Sequence, residues 1–398
     1  MPSTTTIIIG GGVIGLSTAY HLARKHFGRI IVLEKGPVGD GSSSRAAGII
    51  TGLLWSKTGV LARKLSLARY RELSDELPGY RFHDVGCLNL FDPADWPERE
   101  ALLPLYDRLG APYEILSAAE IRKRWPELTP VDEIIGLFDP LGGYSEPEEY
   151  VPALAAKCRE LGVEIREQTQ VNGFLTRNGA IAGVDTASGI VEGDAVICTV
   201  HTWMLQLMET LDRPLPMKAF VHQRYVTAPL PAPLHIPAVN ANPQGGYIRP
   251  ALGNRVLAGG ETAWREEFRT PSLDFRMTEL AVPPAVGAAL TTNMTPLLPI
   301  LAQTIWESEK VGLIAFSLDG EPILGPVQGL PGLYLGCAFH SGGFAYNPAA
   351  GFLLAEYVTS GQTSLDVMAF SPNRFAPGPT AEYLAATVIQ ADAVRRRH

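Results

Sequence analysis

Two short apolar runs open the chain, Ile7-Ile8-Ile9 and Ile30-Ile31-Val32-Leu33, and an amphipathic stretch separates them. That order predicts strand, helix and strand, with the helix beginning near Val13. Residues 60–77 show a helical period, with Leu61, Leu65, Leu67, Ala68, Leu73 and Leu77 forming one apolar stripe among charges. A short strand is predicted at 85–91, helices at 95–109 and 118–125, the second closed by Pro126, and another helix from Pro147 to about Leu161. Short strands follow at 163–165, 171–175, 182–186 and 194–198. Between 214 and 299 the chain becomes strand-rich and proline-rich: 223–227, 246–249 and 256–260 read as strands of an antiparallel sheet, and a helix covers Pro284 to Thr292. The last section returns to alternating elements, with a strand at 333–336 and a helix at 343–357 that ends near Gly361.

The turn between the first strand and helix carries Gly10, Gly12, Val13, Ile14 and Gly15. The first glycine permits a tight turn, the second lets backbone approach a pyrophosphate, and the third lets the helix pack closely on the strand. The helix start aims unpaired donors and a positive dipole end at phosphates. Glu34 follows at the end of the second strand, about 20 residues on, where a carboxylate accepts hydrogen bonds from a ribose. A 2′-phosphate is repelled there, which favours FAD or NAD over NADP. The loop after it, with Lys35, Ser42, Ser43, Ser44, Arg45, Ala47, Gly48 and Ile49, is too glycine-rich to be helix throughout and reads as a ligand-holding loop.

The chain is 398 residues long, with 46% hydrophobic and 19% charged residues, which suits a folded protein of two or three cores. A net charge of −8 argues against nucleic acid as a partner, and the basic run Arg395-Arg396-Arg397 reads as a solvated end. Cys87, Cys158, Cys198 and Cys337 have neither metal nor redox spacing, and read as buried free thiols in a reducing compartment. The early first strand leaves no room for a signal peptide and no apolar run reaches bilayer length, so a cytoplasmic location is expected. No metal site is expected from the histidine spacing.

Taken together these signals give an α/β plus α+β fold. A Rossmann-like nucleotide domain is expected from three pieces, 1–85, 145–213 and 310–398, and an antiparallel-sheet substrate domain from 86–144 and 214–309.

Several further segments carry a resemblance: Gly143-Tyr144-Ser145-Glu146-Pro147, Tyr247-Ile248-Arg249-Pro250, Asp319-Gly320-Glu321-Pro322 with the Ile323-Leu324-Gly325-Pro326 that follows, and Gly336-Cys337-Ala338-Phe339-His340-Ser341-Gly342-Gly343-Phe344. With the glycine turn and the serine-rich loop, in this order and over nearly the whole length, the chain resembles the D-amino-acid oxidase superfamily of FAD-dependent oxidoreductases. The glycine oxidase, sarcosine oxidase and dimethylglycine dehydrogenase branches are the nearest in pattern. The resemblance implies that Val13 and Ile14 lie at the FAD pyrophosphate, that Glu34 meets the ribose, and that Ser42, Ser43, Ala47, Gly48 and Ile49 run along the flavin side. It further implies that Val171 lines the adenine pocket and that Phe339 to Ala345 meet the isoalloxazine ring. The implied reaction oxidises the C–N bond of an amine or amino acid, by hydride transfer to flavin N5, and gives an imine. Because orientation and a neutral amine suffice, no acid or base from the protein is obligatory.

Departures from the family pattern shape the expectation. Glycine and D-amino-acid oxidases carry a carboxylate-binding arginine five positions before the Asp-Gly pair, where this chain has Ile314. Either Arg249, on a strand face shared with Tyr247, takes over the anchor or the substrate lacks a carboxylate there; Tyr247, Arg249 and His340 are the expected catalytic group. Leu318 and Arg45 stand where other branches attach flavin covalently, so non-covalent FAD is expected. His201 replaces a glycine ahead of Trp203 and reads as an altered turn. The substrate reading is a secondary or cyclic amine. The alternatives are a flavin dehydrogenase of hydroxy acids or polyols, and a flavin-binding subunit active only in a complex. Oxygen versus another electron acceptor, and the oligomeric state, stay open.

Overall fold

The computed structural model describes residues 4–260, 265–281 and 285–393. The expected basic end at 395–397 and the expected helix start at Pro284 lie outside the described residues.

The first apolar runs become the strands Thr5–Ile9 and Arg29–Leu33, paired in parallel with Ile7 opposite Ile31. They sit inside a six-stranded sheet whose order is Ile323–Pro326, Leu333–Cys337, Ala195–Cys198, Thr5–Ile9, Arg29–Leu33 and Glu164–Arg166. All pairs are parallel except the first, Ile323–Pro326 against Leu333–Cys337. Parallel strands bury both faces, which is why these segments read as continuous rather than alternating apolar runs.

The helix Val13–Arg24 departs from the amphipathic expectation. Eleven of its twelve residues are buried, because the sheet covers one side and the helices Pro147–Glu160 and Gly343–Ser360 cover the rest. Contact with the last of these is close enough that a Cβ on Gly351 would fall 2.3 Å from the Ser17 hydroxyl. That is the use of the small residues in Gly343–Ser360.

The helix Lys57–Glu76 also differs in its stripe. Leu61 and Leu65 are only half-buried and Ala68 is exposed, whereas Arg63, Ser66, Leu67, Tyr70 and Leu73 form the buried face. Tyr70 and Ser66 bond to backbone at Phe344 and Tyr346, so this face is set by the Gly343–Ser360 helix rather than by apolarity alone.

A nine-stranded sheet forms the second layer, in the order Phe339–His340, Trp306–Ser317, Met217–Thr227, Arg255–Gly260, Gly246–Ala251, Ala238–Ala241, Cys87–Phe91, Ile135–Asp139 and Glu114–Ser117. It is antiparallel as expected except that Ala238–Ala241 runs parallel to Cys87–Phe91, which are joined through distant chain rather than by a hairpin. The twelve-residue strand Trp306–Ser317 was not foreseen, because its outer half, Glu307-Ser308-Glu309-Lys310, is polar and lacks strand patterning. It straddles residue 310 and pairs along its length with Met217–Thr227, which itself starts well before Gln223. A small sheet of Val171–Arg177, Ala180–Thr186 and Gly189–Glu192 and a two-stranded ladder of Ile49–Ile50 with Gly143–Tyr144 complete the strands. The four cysteines are buried and unpaired.

Candidate active site

One elongated cavity runs between the two large sheets, from Glu34 and Val171 at one end to Ile314, Phe316 and Tyr247 at the other. At the first end the geometry follows from the glycines. Gly10 has φ +102°, a conformation L-residues rarely adopt, and its N–H donates to the Leu33 carbonyl at 2.8 Å. A Cβ on Gly15 would lie 2.0 Å from the Gly10 carbonyl oxygen, so only glycine lets helix and turn approach this closely. Gly12 caps the helix without a side-chain bond, and the first helical N–H, that of Val13, donates to Ser43 Oγ at 3.0 Å. Gly12, Val13, Ile14, Ser42 and Ser43 all line the cavity here, a donor-rich cradle at a helix start that suits a pyrophosphate.

Glu34 is held by the turn it serves. Its Oε2 accepts from the Gly11 N–H at 2.8 Å and its Oε1 from the Gly36 N–H at 2.9 Å. Burial raises its pKa, and those two donors pull the other way. The carboxylate keeps lone pairs free toward the cavity, enough to accept from a ribose. Lys35 lies over the Trp203 ring at 3.8 Å and donates to the Leu273 and Phe275 carbonyls, at 2.9 and 2.5 Å. Burial lowers its pKa to about 8. It therefore ties the 273–275 segment to the rim, a role its sequence position did not suggest.

The serine-rich loop crosses from one sheet to the other. Ser42 Oγ donates to the Leu313 carbonyl at 2.8 Å. Arg45 folds back on its own loop, donating to the Asp40 and Gly41 carbonyls, with its stem against Gly312. Gly48 takes φ +73°, and a Cβ there would fall 2.0 Å from the Ser145 carbonyl oxygen. This contact explains why the Gly143 to Pro147 segment accompanies the loop. Ala47, Gly48 and Ile49 line the cavity. Ser44 does not: its carbonyl turns outward to accept from Arg224 at 3.1 Å and Lys310 at 3.2 Å.

Arg249 is likewise corrected. It is fully buried, and its two Nη atoms donate to the two Glu146 oxygens at 2.7 and 2.8 Å, with Nε donating to the Ala47 carbonyl at 2.6 Å. The fork expected for a substrate carboxylate is occupied by the protein's own, and the residue does not line the cavity. Tyr247, two positions earlier on the same strand face, does. Its ring lies over Gly259, where a Cβ would come within 2.1 Å of the hydroxyl oxygen, and 5.9 Å from the His222 ring.

The far end is closed by the glycine-rich turn before Gly343–Ser360. Phe339, His340, Ser341, Gly342, Gly343 and Phe344 line the cavity. His340 adopts φ +47° and packs among Trp55, Phe316 and Tyr346, with ring centroids 5.2, 6.4 and 5.6 Å away. His201 also has positive φ, at +53°, and is buried enough that its pKa falls to about 4, so it is neutral at pH 7. Val200 and His201 line the nucleotide end.

Sequence reasoning did not single out Thr51, Arg63, His222, Asn240 and Phe316, which also line the cavity. His222 and Asn240 stand on strands whose pairing alone brings them to the cleft. Arg63 had a sequence signal: it shares the i, i+3/i+4, i+7 face with Ser66, Leu67 and Tyr70.

A glycine-turn nucleotide site on a parallel sheet, joined through one cavity to an apolar chamber on a second sheet, defines a dinucleotide-dependent oxidoreductase with its substrate enclosed. Comparison with known proteins gives the family. The model of the DAO family, described as FAD dependent oxidoreductase, matches residues 5–357, and the chain belongs to that family. It is 28% identical over 378 residues to 4-methylaminobutanoate oxidase (formaldehyde-forming) of Paenarthrobacter nicotinovorans, covering 93% of this chain but only 45% of that enzyme. The chain thus spans about half the length of that relative. It is also 28% identical to sarcosine oxidase subunit beta of Arthrobacter sp, covering 97% and 95% of the two chains. Among solved structures, L-proline dehydrogenase from P. horikoshii superposes with a TM-score of 0.86 at 26% identity, covering 95% of this chain and 99% of that one. The cradle of Gly12, Val13 and Ser43, with Glu34 beyond it, fits the FAD that the family uses. Among the described residues no helix is long and apolar enough to cross a membrane.

Proposed function

We propose that this protein oxidises the C–N bond of an amine or amino acid, with a secondary or cyclic amine as the preferred substrate. The observation that carries the reading is the chemistry of the enclosed chamber. The carboxylates among its lining residues, Glu34 and Asp40, stand at the nucleotide end, while Ile314, Phe316, Phe339 and Tyr247 surround the other end. A neutral amine carries the lone pair that drives hydride loss from its α-carbon, so an apolar, water-poor chamber without a carboxylate base is sufficient. Bound FAD would supply the hydride acceptor. The protein's part is to hold the donor carbon in line, exclude water with Phe316 and Phe339, and keep the glycine turn at the start of Gly343–Ser360 facing developing negative charge. The names of the relatives, which include an oxidase of 4-methylaminobutanoate and a dehydrogenase of L-proline, support a secondary or cyclic amine.

The same reading has Tyr247 and His340 contacting substrate, with Arg249 positioning the flavin-side loop instead. It also has FAD held without a covalent bond and a cytoplasmic location, and divides the chain at 1–85, 145–213 and 310–398 against 86–144 and 214–309. His222 and His340 keep a second reading in view, since a hydroxy acid would need a base of that kind. The test is the anaerobic visible spectrum of the FAD-loaded protein with sarcosine, proline, simple amines and hydroxy acids. Bleaching by amines alone is expected, and bleaching by hydroxy acids alone would replace the reading with the alcohol one.

A further inference from the structure

Five arginines are buried among the described residues, Arg63, Arg99, Arg224, Arg249 and Arg265, and the two beside the flavin-side loop each have an acid. Arg249 forks onto Glu146, and Arg224 donates to Glu148. Arg63 has none. The residue is 1% exposed, Nη1 reaches the Thr51 carbonyl at a long 3.4 Å, and Nε and Nη2 make no well-formed hydrogen bond among the described residues. The guanidinium lies 4.2 Å over the Tyr346 ring and also interacts with that residue's hydroxyl, though without a well-formed hydrogen bond, and the groups it feels are Tyr346, Tyr70 and Cys87, all neutral at pH 7. Asp139, which the Thr51 hydroxyl reaches, is already engaged by Thr51, Gly52, Leu141 and Gly142.

An uncompensated buried cation with two idle donors is an unstable arrangement unless an anion arrives to complete it. Arg63 lines the cavity, and Nη2 sits 2.1 Å from where a Cβ on Gly342 would stand, so the absence of a side chain at Gly342 leaves room for the guanidinium beside the turn that carries His340. Ile314 and Phe316 make the opposite wall apolar, so an anionic group entering the chamber has this corner to go to.

We propose that Arg63 is the anchor for a carboxylate on the substrate, so that the protein acts on amino acids rather than on simple amines. The proposal rests on the amine-oxidation reading for the reaction, but the anchor stands on geometry of its own. The carboxylate accepts from Nη2 and Nε, and the substrate's remaining atoms extend toward Ile314 and Phe316. A planar fork suits a carboxylate's two oxygens better than a lysine ammonium does.

The test uses the FAD-loaded protein and two inert probes of similar shape, propionate and propionamide, titrated while the flavin's visible absorption is followed. Wild type is expected to bind propionate at least about 10-fold more tightly than propionamide. Arg63→Met should weaken propionate about 10- to 100-fold, leave propionamide unchanged, and retain the wild-type FAD content and spectrum. Propionate binding to Arg63→Met as tight as to wild type would overturn the proposal. Loss of FAD from a folded Arg63→Met would also overturn it, by assigning the arginine to the cofactor. If Arg63→Met does not fold, Arg63→Lys decides: a propionate preference reduced but present supports the anchor, and an unchanged one overturns it. None of these titrations needs turnover. Arg63-dependent propionate binding with no bleaching by any amine would therefore keep the anchor and discard the amine reading.

Discussion

At the nucleotide end of the cavity, Gly10, Gly12, Ser43 and Glu34 meet within fifty residues of chain, and almost every contact is to backbone: Gly11 and Gly36 N–H to Glu34, Val13 N–H to Ser43. At the substrate end, the same loop is fastened by side chains from far away in sequence, Arg249 to Glu146 and Ala47, and Arg224 with Lys310 to Glu148 and Ser44. A pyrophosphate is the same in every dinucleotide, so local backbone donors suffice for it. A substrate chamber depends on how two separate sheets are held against each other, which only long-range bonds can fix.

The difference can be broken from either side. The largest effect is expected from Gly15→Val: its Cβ would meet the Gly10 carbonyl at 2.0 Å, backbone that cannot yield, so FAD retention after gel filtration should fall to near zero. Next is Glu146→Ala, which strands the fully buried Arg249. Denaturant unfolding should show a loss of about 3–5 kcal/mol, and a double change to Glu146→Leu with Arg249→Met should recover part of it. Full stability in the single variant would remove the clamp from the account.

The half-exposed clamp should respond to pH instead. Burial raises the Glu148 pKa, but Arg224 and Lys310 beside it more than compensate and bring it down to about 2. A carboxylate depressed in the folded state contributes stability above its ordinary value near 4.5 and loses it as the pH falls toward 2. Thermal unfolding of Glu148→Gln should accordingly flatten over that window while matching wild type's slope elsewhere. The smallest effect belongs to His201→Gly. Relief of the +53° backbone is offset by glycine's extra chain entropy, leaving a gain below about 1 kcal/mol and an unchanged flavin spectrum.

The nucleotide end could be read in the chain because its parts are neighbours there. Strand, glycine turn, buried helix and Glu34 follow each other, and short-range geometry leaves few alternatives. The parallel sheet was legible for the same reason, in runs such as Ile30 to Leu33. The strand Trp306–Ser317 was not, because half of it is polar and its strand character comes from pairing with Met217–Thr227. Arg249 was not legible either, because an arginine beside a tyrosine on a strand looks alike whether it faces a ligand or, as here, Glu146. Arg63 was passed over because a charge on a helix ordinarily marks the wet face, and only the packing of Gly343–Ser360 against Lys57–Glu76 turns that face inward.

The sequence alone determined the dinucleotide turn and the alternation of sheet and helix, both set by contacts between near neighbours, and the family of flavin-dependent oxidoreductases, carried by motifs in fixed order along nearly the whole chain. The tertiary structure alone decided which charged side chains are spent on each other and that Arg63 faces the cavity. Ion pairs such as Arg249 with Glu146 join residues about a hundred positions apart, and no local pattern records which partner folding will bring.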